Sequence, residues 1–155
     1  MRRKDREIID FEKVISIIDR CECCRIGLID NDEVYIVPMN FGYEVEDEKM
    51  ILYFHCAKEG RKMEIISKTK NASFEMDTKH ALVEGEKACE FSYLYQCVMG
   101  KGNIEILDNE NDKVHGLEQI MKHYSDREGW EFDSKIVDKI YVLKLLVKEW
   151  SCKEH

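Results

Sequence analysis

The chain alternates short apolar runs with polar turns, and the spacing of these runs predicts a structure built mainly from strands. Residues 25–29 and 34–41 are rich in β-branched and aromatic side chains. Asp30-Asn31-Asp32 lies between them and is typical turn chemistry, so the two runs predict a hairpin. Further strands are predicted at residues 50–55, 72–76, 93–107 and 140–147. Gly100 and Gly102 predict a bulge in the long run 93–107.

Other segments have the period of a helix. Apolar residues follow Asp10 with helical spacing, so Asp10 is predicted to cap a helix that ends near residue 21. Asn111 is predicted to cap a second amphipathic helix, and shorter helices are predicted at 58–68 and 134–139. The acidic stretch 44–48 precedes the strand at 50–55, and the polar stretch around 80–90 is predicted to be a connection. Six strands with these helices predict a mainly β fold, a β-barrel with flanking helices, in a single domain over residues 1–155.

Composition narrows the possible partners and the compartment. The chain has 32 acidic against 24 basic residues, a formal charge of −8, which disfavours nucleic acid and anionic membranes as partners. The N-terminal region does not have the pattern of a secretory signal, and no apolar run approaches the roughly 18 residues of a spanning helix. We therefore expect a cytoplasmic protein. Its seven cysteines are an odd number, and reduced thiols are expected.

A basic segment stands out against this acidic background. Residues 57–70 contain five basic and two acidic side chains. Lys58, Gly60, Arg61 and Lys62 lie where a strand is predicted to give way to a helix, and free NH groups at a helix start favour a bound anion. Arginine and lysine together suit a phosphate monoester. The same residues are also compatible with a solvated helix face, and the charge pattern alone leaves both interpretations open.

Two segments carry a family resemblance. The sequences YIVPMNFGY at 35–43 and LYFHCAKEGRK at 52–62 resemble the signature of nitroimidazole-resistance proteins, a branch of the pyridoxamine 5′-phosphate oxidase-like FMN-binding split-barrel family. Looser similarity extends over residues 8–150. The resemblance implies an FMN-binding split barrel that forms a homodimer, holds FMN at the subunit interface and acts on a small-molecule substrate. It further implies an oxidoreductase that reduces a small electron-poor compound such as a nitroimidazole.

The resemblance also implies roles for individual residues. The phosphate-binding turn is matched by Lys58, Gly60, Arg61 and Lys62. The border of the cofactor is matched by His55, Cys56 and Ala57, and the strand beside the isoalloxazine ring by Val37, Pro38, Met39 and Asn40. As the catalytic candidate, His55 could donate a proton to a substrate that flavin reduces, although a structural histidine is equally compatible.

The sequence departs from the family pattern at three places. Cys56 stands where serine is expected, and Cys97 stands where a small hydroxyl residue is usual. No arginine follows Arg127, whereas true pyridoxamine 5′-phosphate oxidases have a basic C-terminal substrate motif. Pyridoxamine 5′-phosphate is therefore not the expected substrate.

Two alternative functions remain open at the level of sequence. One is a flavin- or haem-binding protein for storage, sensing or electron transfer without dedicated turnover. The other is a metal or redox-thiol module at Cys21 and Cys24, which have CxxC spacing with Cys23 between them. A second CxxC is absent from the sequence, so buried or incidental cysteines are favoured and no metal ligands are assigned.

Overall fold

The computed structural model describes residues 3–155, and the eight strands of this part of the chain form one antiparallel sheet. The strands are β1 (Glu7–Ile8), β2 (Cys24–Asp30), β3 (Glu33–Met39), β4 (Gly42–Glu46), β5 (Lys49–Ala57), β6 (Asn71–Val83), β7 (Ser92–Leu107) and β8 (Ile140–Glu154). The helices are α1 (Phe11–Ile18), α2 (Arg61–Thr69), α3 (Glu110–Tyr124) and α4 (Ser134–Val137), with short 3-10 turns at Lys4–Arg6 and Ala88–Glu90.

The sheet curves around a shared apolar core. Its strand order is β3-β2-β6-β7-β8-β5-β4, with β1 added against β8. Seven of these strands contribute side chains to one buried cluster, including Ile8, Ile26, Met39, Phe54, Phe74, Val98 and Leu143. A flat sheet could not bring both ends of this order together. The predicted mainly β architecture with flanking helices is therefore confirmed, as a barrel whose edge strands β3 and β4 do not pair with each other within residues 3–155.

Strand β5 is covered on both faces, which explains its nearly continuous apolar sequence. Leu52 and Phe54 point into the barrel, whereas Ile51 and Tyr53 belong to a second buried cluster with residues of α3. β5 pairs with β4 on one side and with β8 on the other. This central strand leads directly to His55 and the basic turn, so the turn starts from a rigid element.

Several predicted elements are confirmed at their expected positions. Asp10 caps α1 by accepting a hydrogen bond from the NH of Glu12 at 3.1 Å. The β2–β3 hairpin turns at residues 31–32, where Asn31 has a left-handed φ of 56°. The pairing of β7 with β8 shifts register between Lys101 and Gly102, at the expected position, although the bulge was predicted in the run 93–107 itself. The extra residue of this bulge lies in β8.

Other predicted boundaries are wrong. Asn109 rather than Asn111 caps α3, because the Asn109 side chain accepts from the NH of Asp112 at 2.8 Å while Asn111 lies inside the helix. No strand was predicted at the acidic stretch 44–48, yet residues 44–46 belong to β4 and residues 47–48 form its turn. β6 runs on to Val83, so residues 80–83 of the expected connection are part of a strand. β8 continues seven residues beyond 147. Within residues 3–155, the helices are all too short or too polar to cross a membrane.

Candidate functional site

The turn between β5 and α2 presents unpaired backbone NH groups to solvent. Gly60 precedes the helix with φ 119° and ψ 164°, a conformation that glycine adopts readily and other residues rarely do. Its carbonyl accepts from the NH groups of Met63 and Glu64. The NH groups of Arg61 and Lys62 have no backbone partner within residues 3–155, and no side chain caps the helix. The positive end of α2 is therefore open to an anion.

Two lysines border these NH groups without a carboxylate partner. Within the described chain neither Lys58 nor Lys62 forms an ion pair. The Lys58 ammonium lies 5.4 Å from the ring centre of Tyr141. A Cβ added at Gly60 would meet no atom within 4 Å, so there is open space at the centre of the turn. Open NH groups, two available cations and this space form an arrangement that fits a phosphate group.

Arg61, the third predicted cation, is engaged elsewhere. Its Nε donates to Asp30 Oδ2 at 2.7 Å, and its Nη2 donates to Glu33 Oε2 at 3.0 Å. The guanidinium also lies 5.0 Å from the ring centre of Tyr35. These contacts connect the start of α2 to the β2–β3 hairpin. Sequence reasoning treated the acidic hairpin turn only as a turn, although its charge complements the basic segment.

His55 and Cys56 lie on opposite faces of β5. Cys56 is buried in the barrel core, where its Sγ lies 3.4 Å from Sδ of Met63. His55 keeps access to solvent, yet nearby protein removes enough water to lower the pKa of its imidazole, and the positive charge of Lys62 lowers the pKa further. Burial raises the pKa of the Cys56 thiol. His55 is therefore a neutral imidazole near neutral pH, whereas Cys56 is a packing residue.

The pKa of His55 gives the first testable expectation. We expect it to lie below the ordinary value of about 6.5, and we expect Lys62→Met to raise it by removing the nearby charge. Because only the unfolded chain binds a proton between the folded and the ordinary pKa, His55 makes the fold less stable as pH falls through that window. An NMR titration of the imidazole protons measures the pKa. Lys68→Met, at the far end of α2, is the matched control and should leave the pKa unchanged.

The four residues of the predicted ring-binding segment alternate in direction. Met39 is buried in the barrel core and Val37 packs against it, whereas Pro38 and Asn40 are exposed. Pro38 lies opposite Arg25 in the β2–β3 ladder, on an edge strand where a missing NH is tolerated. A ligand outside the barrel would therefore meet Pro38 and the backbone, while Val37 and Met39 would act through packing.

The structure brings only part of the predicted set together. Arg61 links the basic turn to the beginning of β3, near Glu33 and Tyr35. Asn40 lies at the other end of this strand, beside the hydroxyl of Tyr124. At 3.3 Å per residue, the five steps from Tyr35 to Asn40 cover about 16 Å. An elongated ligand lying along β3 could reach from the turn toward Pro38.

Cys21 and Cys24, the two cysteines with CxxC spacing, are buried. Burial raises the pKa of Cys21 to about 12 and raises the pKa of Cys24 well above its ordinary value, so both favour the neutral thiol. Residues 3–155 contain no group of three or more His, Cys, Asp or Glu side chains placed to hold a metal ion. The thiol alternative therefore gains no support from the described residues.

Comparison with known proteins agrees with the fold. Residues 10–154 match the family described as pyridoxamine 5′-phosphate oxidase. A candidate 5-nitroimidazole antibiotic resistance protein from Bacteroides thetaiotaomicron has a similar structure, with a TM-score of 0.83 and 31% identity over 96% of this chain and 86% of that chain. No curated protein matches the sequence.

Two more distant structures share the fold. The flavocytochrome Anf3 from Azotobacter vinelandii has a TM-score of 0.84 and 22% identity, over all of this chain and 72% of that chain. A FAD- and haem-binding protein from Mycobacterium smegmatis has a TM-score of 0.82 and 16% identity, over 96% of this chain and 72% of that chain. At these identities the similarity shows a shared fold and does not show a shared ligand.

Proposed function

Because this chain belongs to the pyridoxamine 5′-phosphate oxidase family, we propose that it binds FMN and reduces a small electron-poor compound such as a nitroimidazole. The observation that carries the proposal is the basic turn, where Lys58, Lys62 and two free NH groups surround open space. The 31% identity to a candidate nitroimidazole-resistance protein supports the substrate class. The seven free thiols agree with the proposed cytoplasmic location.

The residues of the turn would hold the phosphate, and β3 would lie beside the ring. Lys58 and Lys62 supply charge, and the NH groups of Arg61 and Lys62 supply directed hydrogen bonds. Bound flavin would supply the electron transfer to substrate. The protein would then be responsible for binding, for orientation and for proton supply. FMN is proposed over FAD because the open turn fits a terminal phosphate.

His55 is the proposed proton donor for the substrate. It is accessible to solvent and lies two residues before the end of β5, and because its pKa is lowered, the imidazolium form must be replenished with protons from solvent. The acid is the imidazolium form: it gives one ring NH proton to the reduced substrate, returns to the neutral imidazole and is protonated again from solvent. This role needs a position near the reacting group but no covalent bond to it.

Substitution of His55 tests this role. We expect His55→Gln to keep FMN affinity within a few-fold but to slow anaerobic oxidation of the reduced protein by a nitroimidazole about a hundredfold, the range for loss of a general acid. Stopped-flow absorption of the flavin measures this step. His115→Gln on α3 serves as the control and should react like the unmodified protein. Equal rates for His55→Gln and the control would remove His55 from the reaction.

We also propose a homodimer that completes the cofactor site. The outward face of the hairpin carries Ile29, Val34 and Ile36 with 57%, 67% and 63% of their surfaces exposed. Ile29 pairs directly with Val34, so these apolar side chains form one patch. A cavity of about 510 Å³ lies instead at Trp130 and shares no residue with the basic turn. A second copy over the hairpin would enclose a ring that one chain leaves open.

The dimer can be tested at this patch. We expect Val34→Glu with Ile36→Glu to give a folded monomer with weakened FMN binding, because charged residues at an apolar contact oppose association. Analytical ultracentrifugation measures the mass. Leu82→Glu with Leu146→Glu changes two exposed apolar residues elsewhere and should leave the dimer intact. A dimer that persists in the hairpin variant would contradict this interface.

A further inference from the structure

The side chain of Arg61 contacts the β2–β3 hairpin at three points. Two of its nitrogens donate to two different carboxylates, at 2.7 Å to Asp30 and 3.0 Å to Glu33, while its Cζ lies 5.0 Å from the ring centre of Tyr35. The three partners come from the end of β2 and the beginning of β3. Both carboxylates raise the pKa of the guanidinium, which stays charged at any working pH. Arg61 therefore forms a three-point connection between two elements.

This connection makes the Arg61 side chain a poor ligand for phosphate. To grip a phosphate with two parallel hydrogen bonds, the guanidinium would have to give up one or both carboxylates. A phosphate held beside it would also approach Asp30 and Glu33, and like charges repel. Lys58 and Lys62 have no such competition, and the NH group of Arg61 remains open whatever its side chain does.

The connection joins the two parts of the proposed site. Arg61 is the first residue of α2, so it lies within the phosphate turn. Tyr35 lies on β3, three residues before Pro38 of the proposed ring-binding segment. β3 is an edge strand with only β2 beside it, so backbone pairing alone leaves its outer side unsupported within residues 3–155. The Arg61 guanidinium therefore connects the outer side of β3 to α2, where no neighbouring strand of the described chain holds it.

We propose that Arg61 is a positioning residue, whose side chain fixes the hairpin relative to the phosphate turn and so sets the span that the flavin must bridge. The inference rests on the proposed function and refines it, because it separates the backbone of Arg61, which lies in the phosphate site, from its side chain, which lies outside it. Asp30 and Glu33 then belong to the same positioning unit.

Flavins with and without a phosphate distinguish a positioning residue from a phosphate ligand. Riboflavin has the ring and the sugar chain of FMN but lacks the phosphate. A loosened hairpin weakens the binding of both flavins, because the surface that contacts the ring is no longer preorganised. We expect Arg61→Ala to lower the affinity for FMN and the affinity for riboflavin by the same factor, about tenfold. Lys62→Ala, the neighbouring control, should weaken FMN and leave riboflavin unchanged.

The partners of Arg61 provide a second readout that a loss of general stability would not reproduce. Asp30→Asn with Glu33→Gln should weaken both flavins as Arg61→Ala does, and the triple variant should add no further loss, since all three act through one connection. Fluorescence titration well below the unfolding temperature measures these affinities. Independent, additive losses in the triple variant would contradict a shared unit.

The flavin affinities of these variants distinguish a positioning role for Arg61 from a direct contact with the phosphate. Selective loss of FMN in Arg61→Ala would show a guanidinium on the phosphate and would overturn the inference while the proposed function stands. Tighter FMN binding in Asp30→Asn with Glu33→Gln would overturn it as well, because it would show that the carboxylates withhold Arg61 from phosphate. If the unmodified chain bound neither flavin, the proposed function would fail, and this inference with it.

Discussion

Replacement of Lys58 and Lys62 together by alanine should weaken FMN binding about a hundredfold while leaving riboflavin binding unchanged. A hydrogen bond to a charged group contributes about 1.5–3 kcal/mol, and about 1.4 kcal/mol corresponds to a tenfold change in affinity. Two such contacts could therefore give more than a hundredfold. Solvent at this open turn screens the charges and reduces the effect, so the lower value is expected.

The control for this experiment preserves the change in net charge. Lys68 and Lys135 are both exposed and lie away from the turn, so replacing both by alanine removes the same two charges. FMN affinity should then stay within a few-fold of the unmodified protein. Isothermal titration with FMN and with riboflavin measures all four combinations. Equal loss of both flavins in the Lys58 and Lys62 variant would show that the lysines do not act through the phosphate.

Gly42→Ala should reduce the free energy of unfolding by about 3 kcal/mol, the upper end for overpacked sites. Gly42 begins β4 under α3, and an added Cβ would stand 2.3 Å from the carbonyl carbon of Gln119 and from the backbone N of Ile120. Backbone atoms cannot rotate away as a side chain can, so α3 must shift. At roughly 2–4 °C per kcal/mol for a chain of this size, Tm should fall by about 6–12 °C.

A second glycine in the same sheet controls for the general effect of alanine in a strand. Gly27 lies in β2, and a Cβ there would meet its nearest atom, the carbonyl oxygen of Ser73, at 3.8 Å, an ordinary contact distance. Gly27→Ala should leave Tm within a few degrees. Thermal unfolding followed by circular dichroism measures both variants. A small effect at Gly42 would mean that α3 does not press on β4 as closely as the structure has it.

The sequence predicted the elements that are marked by neighbouring residues, such as turn residues and helix caps. The β2–β3 hairpin has turn residues between two apolar runs, and α1 has a capping aspartate before a helical stripe, so both lie within a few residues of their expected bounds. β4 was hidden because two of its five residues are glutamates, Glu44 and Glu46, and the stretch gives no apolar strand pattern. Its turn uses Asp47 and Glu48 with φ of 49° and 60°, without the glycine that usually marks such a turn.

Other boundaries depend on contacts that single segments do not reveal. Both Asn109 and Asn111 can cap a helix, and packing of the apolar face of α3 on the barrel decides between them. The predicted end of β8 lies just before its first pair of adjacent charged residues, Lys148 and Glu149, yet the strand passes through a bulge there and continues along β7. A charged pair on an exposed face does not end a strand.

Part of the candidate site was predictable from neighbouring residues, and part depends on contacts between distant segments. The basic turn was predictable because its glycine, its charges and the strand-to-helix change are neighbours in sequence. The connection of Arg61 to Asp30 and Glu33 spans 31 and 28 residues, and only the fold brings these side chains together. Charge complementarity between the two turns was the available signal, but it does not specify which cation meets which carboxylate.

The most direct test of flavin binding through the basic turn is a titration of the purified, ligand-free protein with FMN, FAD, riboflavin and haem in parallel. Changes in visible absorption give the affinity and the stoichiometry for each ligand. The expected result is saturable binding of one FMN per chain, tighter than riboflavin and FAD because the open turn accepts a terminal phosphate. Binding of haem alone, or equal affinity for FMN and riboflavin, would contradict recognition of flavin phosphate at Lys58–Lys62.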